Sequence, residues 1–150
     1  RIRKSFVRKI FIMHHILIDT DVILDFLFDR KPFSDDSAKL LSLCEKGEIK
    51  GFVTAIILSN IYYLLRKSAK HEKVIESLKS LLLILDISAT DRQAVQNALD
   101  SDFKDFEDAL QNFSAQMEKD ITIIVTRNIK DYKTSSLSIM TPETYLKTLA

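Results

Sequence analysis

Acidic side chains are grouped along this 150-residue chain in a pattern that suits hard-metal chemistry. Asp19 ends the apolar run Ile16-Leu17-Ile18, and Thr20, Asp21 and Asp25 follow it. Asp100, Asp102, Asp105, Glu107 and Asp108 place five acids within nine residues. A third group, Thr126-Arg127-Asn128-Ile129-Lys130-Asp131-Tyr132, comes directly after the apolar run Ile121–Val125. Carboxylates gathered in one cleft repel one another unless a cation stands between them. Mg²⁺ and Mn²⁺ take such oxygen ligands and keep several waters. They activate a water and stabilise charge on a phosphoryl oxygen.

Elements must bring these acids together. Ile16–Ile18 and Ile121–Val125 show no polar alternation, the pattern of strands buried on both faces of a parallel sheet. Asp19 then lies at the carboxyl end of its strand, the edge at which α/β sheets bind ligands. With both strands central and parallel, Asp19, Thr126, Asn128 and Asp131 share that edge. A helix leading into the second strand must begin there too. Phe106, Ala109, Leu110, Phe113 and Met117 give it an apolar stripe, which sets Asp105, Asp108 and Asn112 on the opposite face, away from the core. Capping and helix N-terminal charge are sufficient roles for Asp21, Asp25, Asp102 and Glu107.

The remaining chain alternates in the same way. Ser34 is the expected cap of a helix carrying Asp35 and Asp36 in its first turn, with Gly47 just past its end. Gly51–Thr54 reads as a short strand. Ala55–Lys67 reads as a helix with Ile57, Leu58, Ile61, Leu64 and Leu65 inward. A helix from Lys70 to about Leu81, a strand within Leu83–Ile87 and a short helix capped by Thr90 or Asp91 come next. Ser138–Met140 is a candidate edge strand, and Pro142 opens a closing helix over Glu143–Leu149. The pattern predicts an α/β fold with a mainly parallel central sheet flanked by helices.

Composition bounds the rest. Hydrophobic residues make up 46% and charged residues 29%, with only two Gly and two Pro, as in one globular domain. Cys44 has no partner for an internal disulfide and reads as a buried structural thiol of a cytoplasmic protein. No segment approaches the roughly 20 apolar residues that span a bilayer. Residues 1–13 hold five of the 22 basic side chains and no acid, which leaves 17 basic against 21 acidic residues in the body. Residues 1–13 therefore read as a basic extension and 14–150 as the domain. His14, His15 and His71 have no place in the acidic scheme. Tyr62, Tyr63 and Phe103 read as core or interface rather than as platforms for bases.

Four blocks, ILIDTDVILDFL, IILSNIYYLLRK, DFKDFEDALQNFSA and IIVTRNIKDY, resemble PIN domains in order and spacing. The likeness is strongest to the toxin-like, VapC-type single-domain PIN proteins of bacteria, and it runs from about Ile16 to Leu149. It implies a Rossmann-like fold, metal-dependent cleavage of RNA with Mg²⁺ or Mn²⁺, an antitoxin protein as partner and pairing into a homodimer. By the same resemblance Asp19 is the first metal-holding acid, Asp108 the third, and Asp131 or its neighbours the last. Asn60 and Asn128 stand where the family commonly has acids. An amide oxygen ligates a hard ion or positions a water but brings no charge, so either Asp105 or Asp131 compensates or the chain holds one ion weakly. An acidic site also needs flanking cations to receive RNA; the candidates are Arg66, Lys67, Lys70, Lys73, Arg127 and Lys130. Apolar residues Ile57, Ile61, Tyr62, Leu64 and Leu65 spread around their helix and suggest the homodimer surface. Two rivals remain. ILIDTDVIL also fits the opening motif of haloacid-dehalogenase-like phosphatases, in which the first Asp is a nucleophile. A catalytically weak PIN domain acting as an RNA- or protein-binding module would suit Asn60 and Asn128.

Overall fold

The computed structural model describes residues 13–150. The basic extension proposed for residues 1–13 lies outside them except for Met13. Strand β1 (His15–Ile18) is followed by helices α1 (Thr20–Leu27) and α2 (Ser34–Glu45). Then come β2 (Lys50–Val53), α3 (Ala55–Arg66), α4 (His71–Leu82), β3 (Leu85–Ile87), α5 (Arg92–Leu99) and α6 (Phe106–Met117). β4 (Ile121–Val125), a 3-10 turn over Ile129–Tyr132, β5 (Ser138–Met140) and α7 (Pro142–Thr148) complete the chain.

All five strands are parallel, in the order β3-β2-β1-β4-β5. The chain builds outward from β1 on one side and returns to β4 on the other, so β1 and β4 flank the topological switch point. Ile16, Leu17 and Ile18 face Ile123, Ile124 and Val125 in register. Both triplets are buried, as unbroken apolar runs require when helices cover both faces. Gly51 in β2 admits the closest approach: a Cβ there would meet Cys44 Sγ and Leu85 Cδ2 at 2.7 Å.

Helix starts follow side-chain capping. Asp19, Thr54, Asp91, Asp105 and Thr141 each accept a hydrogen bond from a first-turn N–H. Ser34 does not cap; it is buried as the first residue of α2, behind Phe33. Gly47, at φ 74°, takes the left-handed position just beyond α2. Cys44 is buried beneath that end of the helix.

The larger departure concerns α6. Ala109 and Leu110 pack with Ala98, Val95 and Phe113 as the stripe predicts, but Phe106 at its start is 50% exposed. The polar face is the buried one: Gln111, Asn112 and Ser114 are all covered. Ser114 accepts or donates at Thr90 and donates to Leu110, Asn112 accepts from Ser135, and Gln111 accepts from Tyr132. Buried polar groups are tolerated when they satisfy one another, and hydropathy alone does not report that. In α3, Ile57 and Ile61 are fully buried in the chain's own core, so they do not belong to an outward pairing surface. Among the described residues no helix is long and apolar enough to cross a membrane.

Candidate active site

Asp19 leaves β1 with its N–H donating to the Val125 carbonyl at 3.0 Å, which fixes it between the two central strands. Its carboxylate is buried, and both of its oxygens accept hydrogen bonds. Oδ1 accepts from Thr20 N–H at 2.8 Å, and Oδ2 accepts from Thr126 Oγ1 at 2.8 Å. The Tyr132 hydroxyl lies 3.3 Å from the same Oδ2, 3.4 Å from Asp108 Oδ1 and 3.4 Å from Gln111 Oε1. One phenolic proton from the 3-10 turn thus stands among three acceptors, one at the end of β1 and two on α6. Tyr132 itself is completely buried, and Phe103 packs edge-on against its ring at 6.0 Å.

The electrostatics are those of crowded, partly buried acids, with Arg127 pulling only Asp21 back down. Burial raises the Asp19 carboxyl above the ordinary range, against the pull of its three hydrogen bonds. Burial, then the charges of Asp105, Asp19 and Asp131, push Asp108 up to about 7. Burial and Asp19 push Asp21 up to about 6. Burial and the same acids hold the Tyr132 phenol protonated throughout the physiological range.

Asp19, Thr20, Asp21, Arg30, Asn60, Tyr63, Glu107, Asp108, Gln111 and Asn128 line one open cleft of about 540 Å³. Asp19, Asp108, Asn60 and Asn128 of the expected set are therefore together. Asp105 caps α6 through the Asp108 N–H at 3.0 Å, which places Asp108 over the cleft while Asp105 stays exposed. Asp131 is exposed on the 3-10 turn, near enough for its charge to act on Asp19 and Asp108. Asp21 and Glu107, read from the sequence as sufficient in capping roles, line the cleft as well. Asn60 Nδ2 donates to Glu107 Oε2 at 3.0 Å, so an acid from α6 stands beside the amide on α3.

Arg127 has a different place from the one expected. Its guanidinium grips the fully buried Asp25 with Nε at 2.6 Å and Nη2 at 3.0 Å, and stacks over Phe33 at 4.0 Å. Its N–H donates to Asp21 Oδ2 at 3.1 Å. Asp25 is therefore an internal ion-pair partner rather than a cap. Lys130, Lys67, Lys70 and Lys73 are exposed outside the cleft, and Arg66 donates to the Ala69 carbonyl. His14 meets the Tyr145 hydroxyl at 2.9 Å, at the other end of β1 from Asp19.

Whether these residues suit a divalent ion follows from their donors. Asp21 Oδ1 is buried with no hydrogen-bond partner, and an unsatisfied carboxylate oxygen favours a positive neighbour. Among the described residues, however, no three His, Cys, Asp or Glu side chains stand close enough to cage a metal. The expected triad of Asp19, Asp108 and Asp131 is thus not a preformed three-ligand shell. Mg²⁺ is commonly held by one or two carboxylates plus water, and the Asp19–Asp108 pair matches that lighter requirement.

A PIN domain family model matches residues 15–130, and the chain belongs to the PIN domain family. The fold recurs in VapBC2 from Rickettsia felis bound to a DNA fragment from its promoter, at TM-score 0.64 and 20% identity over 84% of this chain and 96% of that one. A toxin-antitoxin complex from Klebsiella pneumoniae matches at TM-score 0.64 and 19% identity, over 85% and 97%. VapC20 from Mycobacterium tuberculosis, a sarcin-ricin loop cleaving toxin, matches at TM-score 0.55 and 15% identity, over 73% and 86%. No curated protein sequence matches the chain. Family membership displaces the haloacid-dehalogenase-like phosphatase reading of ILIDTDVIL.

Proposed function

We propose that this protein is a metal-dependent endoribonuclease and the toxin of a toxin–antitoxin pair. The observation that carries the reading is the meeting of Asp19 and Asp108 beneath the single Tyr132 hydroxyl at the sheet's switch point. Family membership supports it, as does the fold shared with toxins of antitoxin complexes and with an RNA-cleaving toxin. Asp19 and Asp108 would hold Mg²⁺ or Mn²⁺, with Asp21 and Asp131 adding negative charge around them. When bound, such an ion supplies stabilisation of phosphoryl charge and an acidified water. The chain's own groups do the positioning. Thr126, Thr20 and Tyr132 hold the Asp19 carboxylate in one orientation, and Asp105 fixes the turn that presents Asp108. The Asn60 and Asn128 amides border the space where a water and a phosphodiester would lie. A homodimer and an antitoxin partner belong to the same reading.

RNA cleavage assays with Mg²⁺ or Mn²⁺, with chelator and with Asp19→Asn and Asp108→Asn test it. Cleavage should require the ion and vanish in both variants; cleavage that survives in either variant contradicts the assignment. Asn60 and Asn128 at the cleft favour one second reading, a binding module. It predicts RNA binding by the wild type with no ion-dependent cleavage.

A further inference from the structure

The cleft floor is acidic, yet a nucleic-acid strand must enter it, and the cations first expected to guide that strand stand elsewhere. Among the described residues Arg30 is the one Lys or Arg that lines the cleft. Its backbone is anchored, with its N–H donating to the Asp25 carbonyl at 2.9 Å and its carbonyl accepting from Ser34 at 2.8 Å. Its guanidinium lies 3.6 Å from Asp25 Oδ1 and 43% of its side chain is exposed. Charge counting gives this its meaning. Asp25 brings one negative charge, and Arg127 already holds both of its oxygens in a bidentate pair. Among the described residues Arg30 therefore makes no closer ion pair than that 3.6 Å approach, and its guanidinium remains available at the cleft to a polyanion.

Tyr63 on α3 lines the same cleft. It is 67% exposed, more than any other aromatic side chain among the described residues, and Tyr62 packs edge-on against it at 5.4 Å. A Tyr so exposed contributes little to the core, and a free aromatic face is a sequence-tolerant platform for a base. Its exposure takes Tyr63 out of the core, one of the two roles expected of it from the sequence.

We propose that Arg30 and Tyr63, which line the cleft together with its acids, are its substrate-binding pair for single-stranded RNA. Arg30 holds a backbone phosphate and Tyr63 stacks on a base, which together offset the repulsion between the floor and the strand. The inference rests on the ribonuclease reading for its choice of RNA, and binding is measured apart from cleavage so that each can fail alone.

The probe is a fluorescently labelled single-stranded RNA of mixed sequence, titrated in chelator at several salt concentrations. Tyr63→Ala should weaken binding roughly tenfold or more while Tyr63→Phe binds as wild type. Arg30→Gln should lower the slope of log affinity against log salt by about 0.7, the increment for one phosphate contact on a single strand, and Arg30→Lys should keep it. Thermal melts of each variant control for folding, because Arg30 neighbours a buried carboxylate. Wild-type affinity in Tyr63→Ala, an unchanged salt slope in a folded Arg30→Gln, or no RNA binding by the wild type would each overturn the proposal. Binding that depends on both residues, without ion-dependent cleavage, would support it while removing the nuclease reading.

Discussion

At the scale of single residues, Tyr132 is the group on which the site's geometry turns. Its hydroxyl is the one donor that reaches both the Asp19 and Asp108 carboxylates, and its ring is completely buried. Tyr132→Phe keeps the ring and deletes the donor. Hydrogen bonds to charged acceptors contribute about 1.5–3 kcal/mol, and at 3.3–3.4 Å the lower end applies. Urea unfolding should register a loss of about 1.5 kcal/mol, and an unchanged midpoint would mean that the hydroxyl bonds neither acid. Cys44 makes a separate check on packing. Burial pushes its thiol up to about 12. The native protein should resist alkylation at pH 8, where an ordinary thiol near 8.5 is partly thiolate, and should react once urea exposes it. Rapid native alkylation would show that the α2–β2 contact opens.

At the scale of elements, Arg127 ties the segment after β4 to α1. Arg127 and Asp25 form a latch: β4 ends, Arg127 turns inward to Asp25, and the next residues carry Asn128 to the cleft and leave Asp131 exposed beside it on the 3-10 turn. Removing one partner of a buried pair strands the other charge, at about 3–5 kcal/mol. Arg127→Ala should therefore destabilise far more than Arg30→Ala, since Arg30 approaches Asp25 only at 3.6 Å. Equal melting losses for the two variants would refute the latch. What the sequence showed of these elements has a physical reason. Ile16–Ile18 and Ile121–Val125 are legible because double-sided burial leaves an unbroken apolar run, and Pro142 marks a helix start because it lacks an N–H. Asp19 is legible because an acid directly after such a run is costly without a task. Asp21 and Glu107 were not, because a lining acid and a capping acid look alike in one dimension, and Arg30 was not, because a loop cation looks the same whether or not a cleft lies beside it. The inward polar face of α6 and the grip of Arg127 on Asp25 depend on partners at least 20 residues away, and no local spacing encodes them.

At the scale of the whole molecule, charge repulsion links the fold to its proposed ion. Acids brought together by five parallel strands and the start of α6 oppose one another, so the native state should carry strain that a divalent cation relieves. The variants report this unequally. Asp19 caps α1 and accepts from two hydroxyls, so Asp19→Asn should lose stability with or without an ion. Asp108 accepts only a long bond from Tyr132 and is pushed up by its acidic neighbours, which makes it the cleaner probe.

The deciding measurement is a thermal melt of wild type and Asp108→Asn, each in chelator and in Mg²⁺ or Mn²⁺. If the acids form one ion-binding site, Asp108→Asn melts at or above wild type in chelator, because a repelling charge has gone. The ion then raises the wild-type melting temperature and leaves the variant's nearly unchanged. A structural acid at a helix N-terminus behaves in the opposite way, with a loss of about 0.3–1 kcal/mol in either buffer. An Asp108→Asn protein that melts lower in chelator and still responds to the ion like wild type would contradict the site.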